Sequence, residues 1–302
     1  MNRVADLPVT LDAGEFLKRL VTELELDDPE SVTLDSRLVE DLGFDSLQMV
    51  ETIVVLAEML GEPLDAYHDG DVLDALGTVR DLHNYYLTRS SMPRDDASSR
   101  GGDGGASLRG NLVELRPAMG NHYARLYEIA VTDEIAWRWR YGGAIPSYDE
   151  FLKGFSHGVL SQLVVTRPSS SEAIGLAVLY GANLQSSTAY LAVVVTPELV
   201  GSGVGAEAAI LFLRYAFRTW NLVKVYLEFP EFNLPQFRSG LGRYFHLEGR
   251  LKAHYYHDGR RWDQLICAIY RGDIDRREIG SHRAEQTTTE DRVDTVESLI
   301  ET

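Results

Sequence analysis

Two stretches and a few titratable side chains carry the residue types able to do chemistry. The first is Leu42-Gly43-Phe44-Asp45-Ser46-Leu47, where a serine hydroxyl stands at the entrance to an apolar run (Leu47, Val50, Ile53, Val54, Ala57) of helical spacing. Asp45 and Ser46 are both good N-cap residues, so either side chain can satisfy a backbone N–H that the first helical turn leaves orphan. The second is Gly201-Ser202-Gly203-Val204-Gly205-Ala206, between a strand-like run ending at Val195 and a helix start. Glycines let the backbone approach a ligand, and free N–H groups at a helix N-terminus form an anion site. Taken alone the pattern is weak: it fails the Gly-x-Gly-x-x-Gly spacing of dinucleotide sites and also suits a tight turn that holds nothing. Candidates for moving a proton are Glu228 at a strand end and His254 or His257 on the last hairpin, each of which also has a structural or solvated reading.

Helical periodicity positions the serine. Phe16, Leu17, Leu20, Val21 and Leu24 predict a first helix between Leu11 and Leu26, with Asp12 as a cap. The Ser46 helix is expected to stop near Gly61-Glu62-Pro63, an irregular stretch runs through Asp69-Gly70-Asp71, and Thr78 can cap a last helix through Leu87. Three main helices and a short one give a small all-α bundle, four helices in residues 1–89. Residues 90–110 lack apolar periodicity and are rich in Gly and Ser, as a flexible linker is, with a root-mean-square span on the order of 25 Å. From 111 to 270 strands dominate: Leu112 to Pro117, Ser161 to Thr166, Ala173 to Tyr180, Thr188 to Val195, Val223 to Phe229, Tyr244 to Tyr256 and Trp262 to Tyr270, with helices interspersed. An α+β fold around one central mixed sheet is expected. The tail, 271–302, is polar and expected to be mostly disordered, although Val293, Val296, Leu299 and Ile300 are spaced for a short amphipathic helix.

Charge separates the parts. The 302 residues carry a formal net charge of -17, and 20 acidic against 6 basic residues fall in positions 1–90, while 91–270 is close to neutral. An acidic first unit argues against nucleic acid, whose phosphates need cations, and favours docking to basic protein surfaces. Glu51 and Glu58 on the Ser46 helix are either such a docking face or plain solvated surface. The single cysteine, Cys267, sits among Leu265, Ile266, Ala268 and Ile269 and reads as a buried strand residue; without a possible intrachain disulfide, a reducing cytoplasm is the expected setting. No window approaches the roughly 20 apolar residues of a membrane span, and no metal site is expected.

Over residues 8–89, Leu42-Gly43-Phe44-Asp45-Ser46-Leu47 followed by an acidic helix resembles the modification site of acyl and peptidyl carrier proteins. That resemblance implies 4'-phosphopantetheine on Ser46, joined by a phosphopantetheinyl transferase, and a thiol that holds an acyl or aminoacyl group as a thioester. Over residues 111–270, Gly201-Ser202-Gly203-Val204-Gly205-Ala206-Glu207-Ala208, Phe232-Asn233-Leu234-Pro235 and Phe245-His246-Leu247-Glu248-Gly249-Arg250-Leu251 resemble the GNAT acyl-CoA N-acyltransferases. By implication the backbone of Gly201, Ser202, Gly203, Val204, Gly205 and Ala206 holds the diphosphate of acyl-CoA, most simply acetyl-CoA. Asn233 would contact the pantetheine arm, and a splayed strand at Leu191 to Val195, through Val193 and Val195, would pair with the arm's amides.

The departures from that family's pattern also matter. Val200 replaces the usual Arg or Gln, and Gly240 stands where many members carry a tyrosine acid. The strand before the loop, Tyr190-Leu191-Ala192-Val193, lacks the frequent carboxylate, which leaves Glu228, His254 and His257 as base candidates and Tyr244 as a replacement acid. Trp137, Arg138, Trp139 and Arg140 are able to shape an acceptor or docking site, or simply to be core and surface. The expected function is acyl transfer in specialised-metabolite assembly such as antibiotic biosynthesis: N-acylation, by acyl-CoA, of an amine tethered on the Ser46 arm. Two alternatives use the same parts, delivery of acyl from the arm to a free amine and loading or decarboxylation of acyl-CoA onto the carrier thiol. A third is a carrier and interaction protein whose second unit binds CoA without turnover. The implied partners are the transferase, an adenylating or loading enzyme or synthase, and a small-molecule amine or tethered aminoacyl substrate.

Overall fold

The computed structural model describes residues 11–26, 28–61, 76–91, 108–137, 139–168 and 170–275. In the first unit α1 (Ala13–Glu23), α2 (Ser46–Leu60) and α3 (Val79–Ser90) pack around Phe16, Leu20, Leu56, Leu82 and Tyr86. Each start is set by a local cap: Asp12 accepts Glu15 N–H, Asp45 accepts Leu47 and Gln48 N–H, and Thr78 accepts Asp81 N–H. α2 ends at Gly61, whose φ of 61° suits a residue without Cβ. The unit is helical; the irregular stretch through Asp69-Gly70-Asp71, most of the linker, Arg138 and the proposed tail helix at 293–300 lie outside the described residues.

The second unit is a seven-stranded mixed sheet in the order β1-β2-β3-β4-β5-β7-β6. Its strands are β1 (Glu114–Arg116), β2 (Val159–Thr166), β3 (Ala173–Asn183), β4 (Thr188–Val195), β5 (Lys224–Pro230), β6 (His246–His257) and β7 (Arg260–Tyr270). Leu108–Gly110, assigned to the linker by composition, already belongs here, because Leu115 N–H reaches Leu108 O and Gly110 N–H reaches Val113 O.

Helices cover both faces. α7 (Val204–Thr219) lies on one with Leu191, Val225 and Phe229, while α4 (Tyr123–Ala130), α5 (Asp133–Ala136) and α6 (Tyr148–Gly154) stand on the side of Val164, Leu176 and Val178. After β7 a short helix, α8 (Arg271–Asp275), falls in the stretch read as tail; the Arg271 guanidinium fastens it by donating to the carbonyls of Phe217, Trp220 and Leu222.

One pairing is parallel, β4 with β5, because the α7 crossover connects them. It is brief: Thr188 to Tyr190 pair with Lys224 to Tyr226 and no further. β4 nevertheless stays on β3 through Val195, and β5 stays on β7 through Pro230. Beyond Tyr190 and Tyr226 the two strands diverge and leave a wedge in the sheet, as expected for Leu191 to Val195.

Candidate active site between the two units

Ser46 sits at the mouth of that wedge. Asp45, and not Ser46, caps α2, with its N–H returned to Gln48 Oε1 at 3.1 Å, so the serine hydroxyl is released from capping. Ser46 is buried at the first helical position, and its hydroxyl makes no hydrogen bond among the described residues. Two segments grip it, one following each diverging strand. After β4 and the turn Pro197–Leu199 comes Gly203 at φ +85°; a Cβ there would lie 3.2 Å from the Ser46 carbonyl oxygen and 3.2 Å from Val50 Cγ2. After β5 come two 3-10 turns over Glu231–Gly240, broken at Phe237, which bring Ser239 and Gly240 to α2. Ser239 donates to both Asp45 carboxylate oxygens, N–H at 2.7 Å and Oγ at 2.8 Å.

Gly240 accounts for one departure noted in the sequence. A Cβ at this position would stand 2.4 Å from Leu47 Cδ1 and 2.6 Å from Phe245 Cε1, so a side chain is excluded by the residue that follows Ser46. Further along α2, Glu51 accepts the Tyr244 hydroxyl at 2.7 Å and pairs with Arg243 at 3.2 Å. Glu51 is thus a docking residue whose basic partner lies in the same chain. Glu58, exposed on the same helix, faces Glu23 and Arg19 of the first unit instead.

The glycine loop has the expected shape with one correction. Gly201 (φ +87°) has open space where a Cβ would be, and α7 starts at Val204 with Val204, Gly205 and Ala206 in its first turn. Ser202 cannot contribute as expected: its N–H and its hydroxyl both go to Leu199 O, at 3.3 Å and 2.7 Å, because that carbonyl closes the preceding turn. The N–H groups left without a helical partner are those of the first turn of α7. Glu207, in that turn, is a residue sequence reasoning passed over. Its buried carboxylate accepts the N–H groups of Asn111, Leu112 and Val113 at 2.9, 2.7 and 2.9 Å, and burial pushes its pKa up while these bonds oppose the rise. It ties the entry of the second unit beneath the loop.

The remaining candidates divide. Val193 and Val195 lie on the β4 edge of the wedge and pack toward α7. Asn233 is half-buried in the 3-10 segment, with its start held by Glu231, which accepts from Arg250 at 2.9 Å and from Asp263 N–H at 3.2 Å. Glu228 is half-buried at the β5 edge; burial raises its pKa and His254 opposes the rise. It is brought near Tyr180, Tyr190, Tyr255 and His254 but not near Tyr244, whose hydroxyl is turned to Glu51. His254 is exposed, and His257 stacks on Trp137 with ring centroids 3.9 Å apart. Arg140 binds the carbonyl of Phe155 at 2.6 Å and is structural. Cys267 is buried on β7, where burial pushes its thiol up to about 12. Among the described residues no cluster suits a metal ion, and no helix is long and apolar enough to cross a membrane.

Comparison with known proteins finds two separate matching stretches. Residues 15–85 match the phosphopantetheine attachment site model, and residues 113–238 match the acetyltransferase (GNAT) domain model. The acyl carrier protein of Zymomonas mobilis is 30% identical over 74 residues, 24% of this chain and 90% of that protein. That of Campylobacter concisus is 34% identical over 71 residues, 24% of this chain and 87% of its own length. Among solved structures, spermidine N-acetyltransferase from Vibrio cholerae in complex with CoA and spermine superposes with a TM-score of 0.48 at 22% identity, covering 54% of this chain and 97% of that one. The spermidine/spermine N-acetyltransferase from Vibrio cholerae in complex with manganese ions gives 0.47 at 22%, covering 55% and 96%. The chain is a carrier protein joined to an acyltransferase of the GNAT class. Its first unit belongs to the acyl carrier protein family, with 4'-phosphopantetheine as covalent group, and acyl-CoA is the cosubstrate of the second unit's class.

Proposed function

We propose that Ser46 carries the phosphopantetheine and that the arm, inserted into the wedge of its own chain, delivers its acyl group to a free amine. The observation that supports this most strongly is the seating of the start of α2 against the segments that follow β4 and β5, with Gly203 at the Ser46 carbonyl and Gly240 at Leu47. Gly203, against the Ser46 carbonyl, immediately precedes the first turn of α7, whose N–H groups would hold the phosphate of a group on Ser46. The fit is a cradle: a Cβ at Gly203 would press on the Ser46 carbonyl.

Bound there, the group supplies a thiol that holds the acyl as an activated thioester. The chain's own residues do the rest. Orphan N–H groups of Val204, Gly205 and Ala206 stabilise the phosphate. Unpaired backbone on β4 beyond Tyr190 orients the arm and offers N–H donors to the carbonyl oxygen as charge develops. Glu228, with its pKa raised by burial, takes the proton of the incoming ammonium. The nitrogen would then bond to the acyl carbon as the carbon–sulfur bond breaks with its electron pair on sulfur, and the second nitrogen proton would pass to that thiolate, leaving a thiol and the amide.

Acyl-CoA and the arm are alternative occupants of one slot in this reading, since α2 rests on the glycine loop. The order favoured by sequence alone, acyl-CoA acting on an amine tethered at Ser46, needs both at once. The tether favours the arm, because linkers of this length give effective concentrations of roughly millimolar. The test is a chase of acyl-loaded protein, freed of CoA, with an amine. Loss of the acyl mass from the protein with matching amide supports the reading, and an acyl arm that persists until CoA is added refutes it.

A further inference from the structure

The sheet face turned away from α7 carries an aromatic basin at the wedge. Tyr180, Tyr190 and Tyr226 are cross-strand partners on β3, β4 and β5, with ring centroids 5.5 and 5.3 Å apart. Glu228 follows two residues after Tyr226, on the same face, where β4 has already left β5. Tyr255 lies near Tyr180 and Glu228 and links this row to Trp137, in the turn after α5. Trp137 stacks on His257 at 3.9 Å and meets Phe232 at 5.6 Å and Tyr255 at 6.2 Å. Trp137, Tyr180, Tyr190, Phe232 and Tyr255 are all only partly buried, so this wall is not a closed core.

Charge in the basin is sparse. The Glu228 carboxylate makes no ion pair or hydrogen bond among the described residues, and the groups facing it are His254 and the tyrosines. The neighbouring carboxylates of Glu231 and Asp263 are committed to Arg250. The carboxylate that faces the tyrosine row is Glu228, a single charge for a single ammonium. A single ammonium attached to a flat ring finds a carboxylate at one end and aromatic faces along its length.

We propose that this basin is the acceptor site and takes a monoamine carried on an aromatic body, with nitrogen at Glu228 and the ring between Trp137 and the tyrosine row. The inference rests on the transfer reading above for the word acceptor; the binding itself does not need it. The donor reaches the wedge from the α7 side and the amine from the other, so the two meet at the gap.

The experiment is calorimetric titration of full-length protein bearing an unacylated arm with phenethylamine, n-butylamine and spermidine. Phenethylamine is expected to bind at least about tenfold more tightly than either other amine, given the area and ring contacts it adds. Trp137→Ala should erase that preference, with Phe232→Leu as a second variant that weakens it, and Glu228→Gln should weaken all three amines. Equal or tighter binding of butylamine or spermidine, or a preference that survives both aromatic variants in folded protein, overturns the proposal. Since no acyl group is present, failure here leaves delivery from the arm standing with another acceptor, and failure of delivery leaves this site standing.

Discussion

Replacing Glu51 with Ala should release the carrier and open the glycine loop to CoA. The substitution removes the 2.7 Å bond from the Tyr244 hydroxyl and the 3.2 Å ion pair with Arg243. Hydrogen bonds to charged groups contribute about 1.5–3 kcal/mol, and an exposed ion pair about 0.2–1 kcal/mol. The Glu51 side chain is 14% exposed and Arg243 33%, which places the pair between these regimes. A net loss of about 2 kcal/mol is reasonable, and it moves the docking equilibrium about 30-fold. If only undocked protein admits CoA, the apparent Kd is the intrinsic Kd divided by the undocked fraction, so CoA binding to protein lacking the arm should tighten by as much as about 30-fold. Calorimetric titration measures it. Glu58→Ala is the control, since it removes the same charge from an exposed position facing the first unit. Equal CoA affinity in wild type and Glu51→Ala, or the same gain in Glu58→Ala, would refute the claim that α2 covers the loop.

Three further outcomes are expected. Gly240→Ala should destabilise by about 1–3 kcal/mol through overpacking on Leu47 and Phe245, read as a lower Tm and faster hydrogen exchange at the Ser239 N–H; Leu47→Ala should relieve part of it. The single-turnover rate should fall as pH drops through the Glu228 pKa, because the base works only when ionised. That acid limb should lie above the ordinary carboxylate value of 4.5 and vanish in Glu228→Gln. Cys267 should resist alkylation in folded protein at pH 8 and react only on unfolding, as mass spectrometry would show, because burial holds its thiol neutral up to about 12.

Most of the architecture was legible because periodicity and caps are local. The run at Thr188–Val195 reads as a strand and is one, and Asp12, Asp45 and Thr78 mark the helix starts. The wedge was inferable only by resemblance, since strand pairing is not written in either strand alone. The docked arrangement was not legible at all. Asp45 and Ser239 are 194 residues apart, and nothing in the local sequence of either names the other. Gly240 reads as a lost tyrosine, and Glu51 reads equally as a docking face or as solvated surface with no partner named, yet both are halves of contacts whose other halves lie across the linker. Ser202 read as a ligand-facing loop residue because spacing does not reveal that Leu199 O takes both its donors.

The central claim, that the arm on Ser46 is the acyl donor, is most directly tested by isotope partition. Protein whose arm bears a heavy-labelled acyl group is mixed with unlabelled acyl-CoA and an amine acceptor, and the first-turnover amide is weighed. The first equivalent of amide is expected to carry the heavy label, and Ser46→Ala to give no heavy product. Unlabelled amide with the heavy acyl still on the protein would contradict the claim.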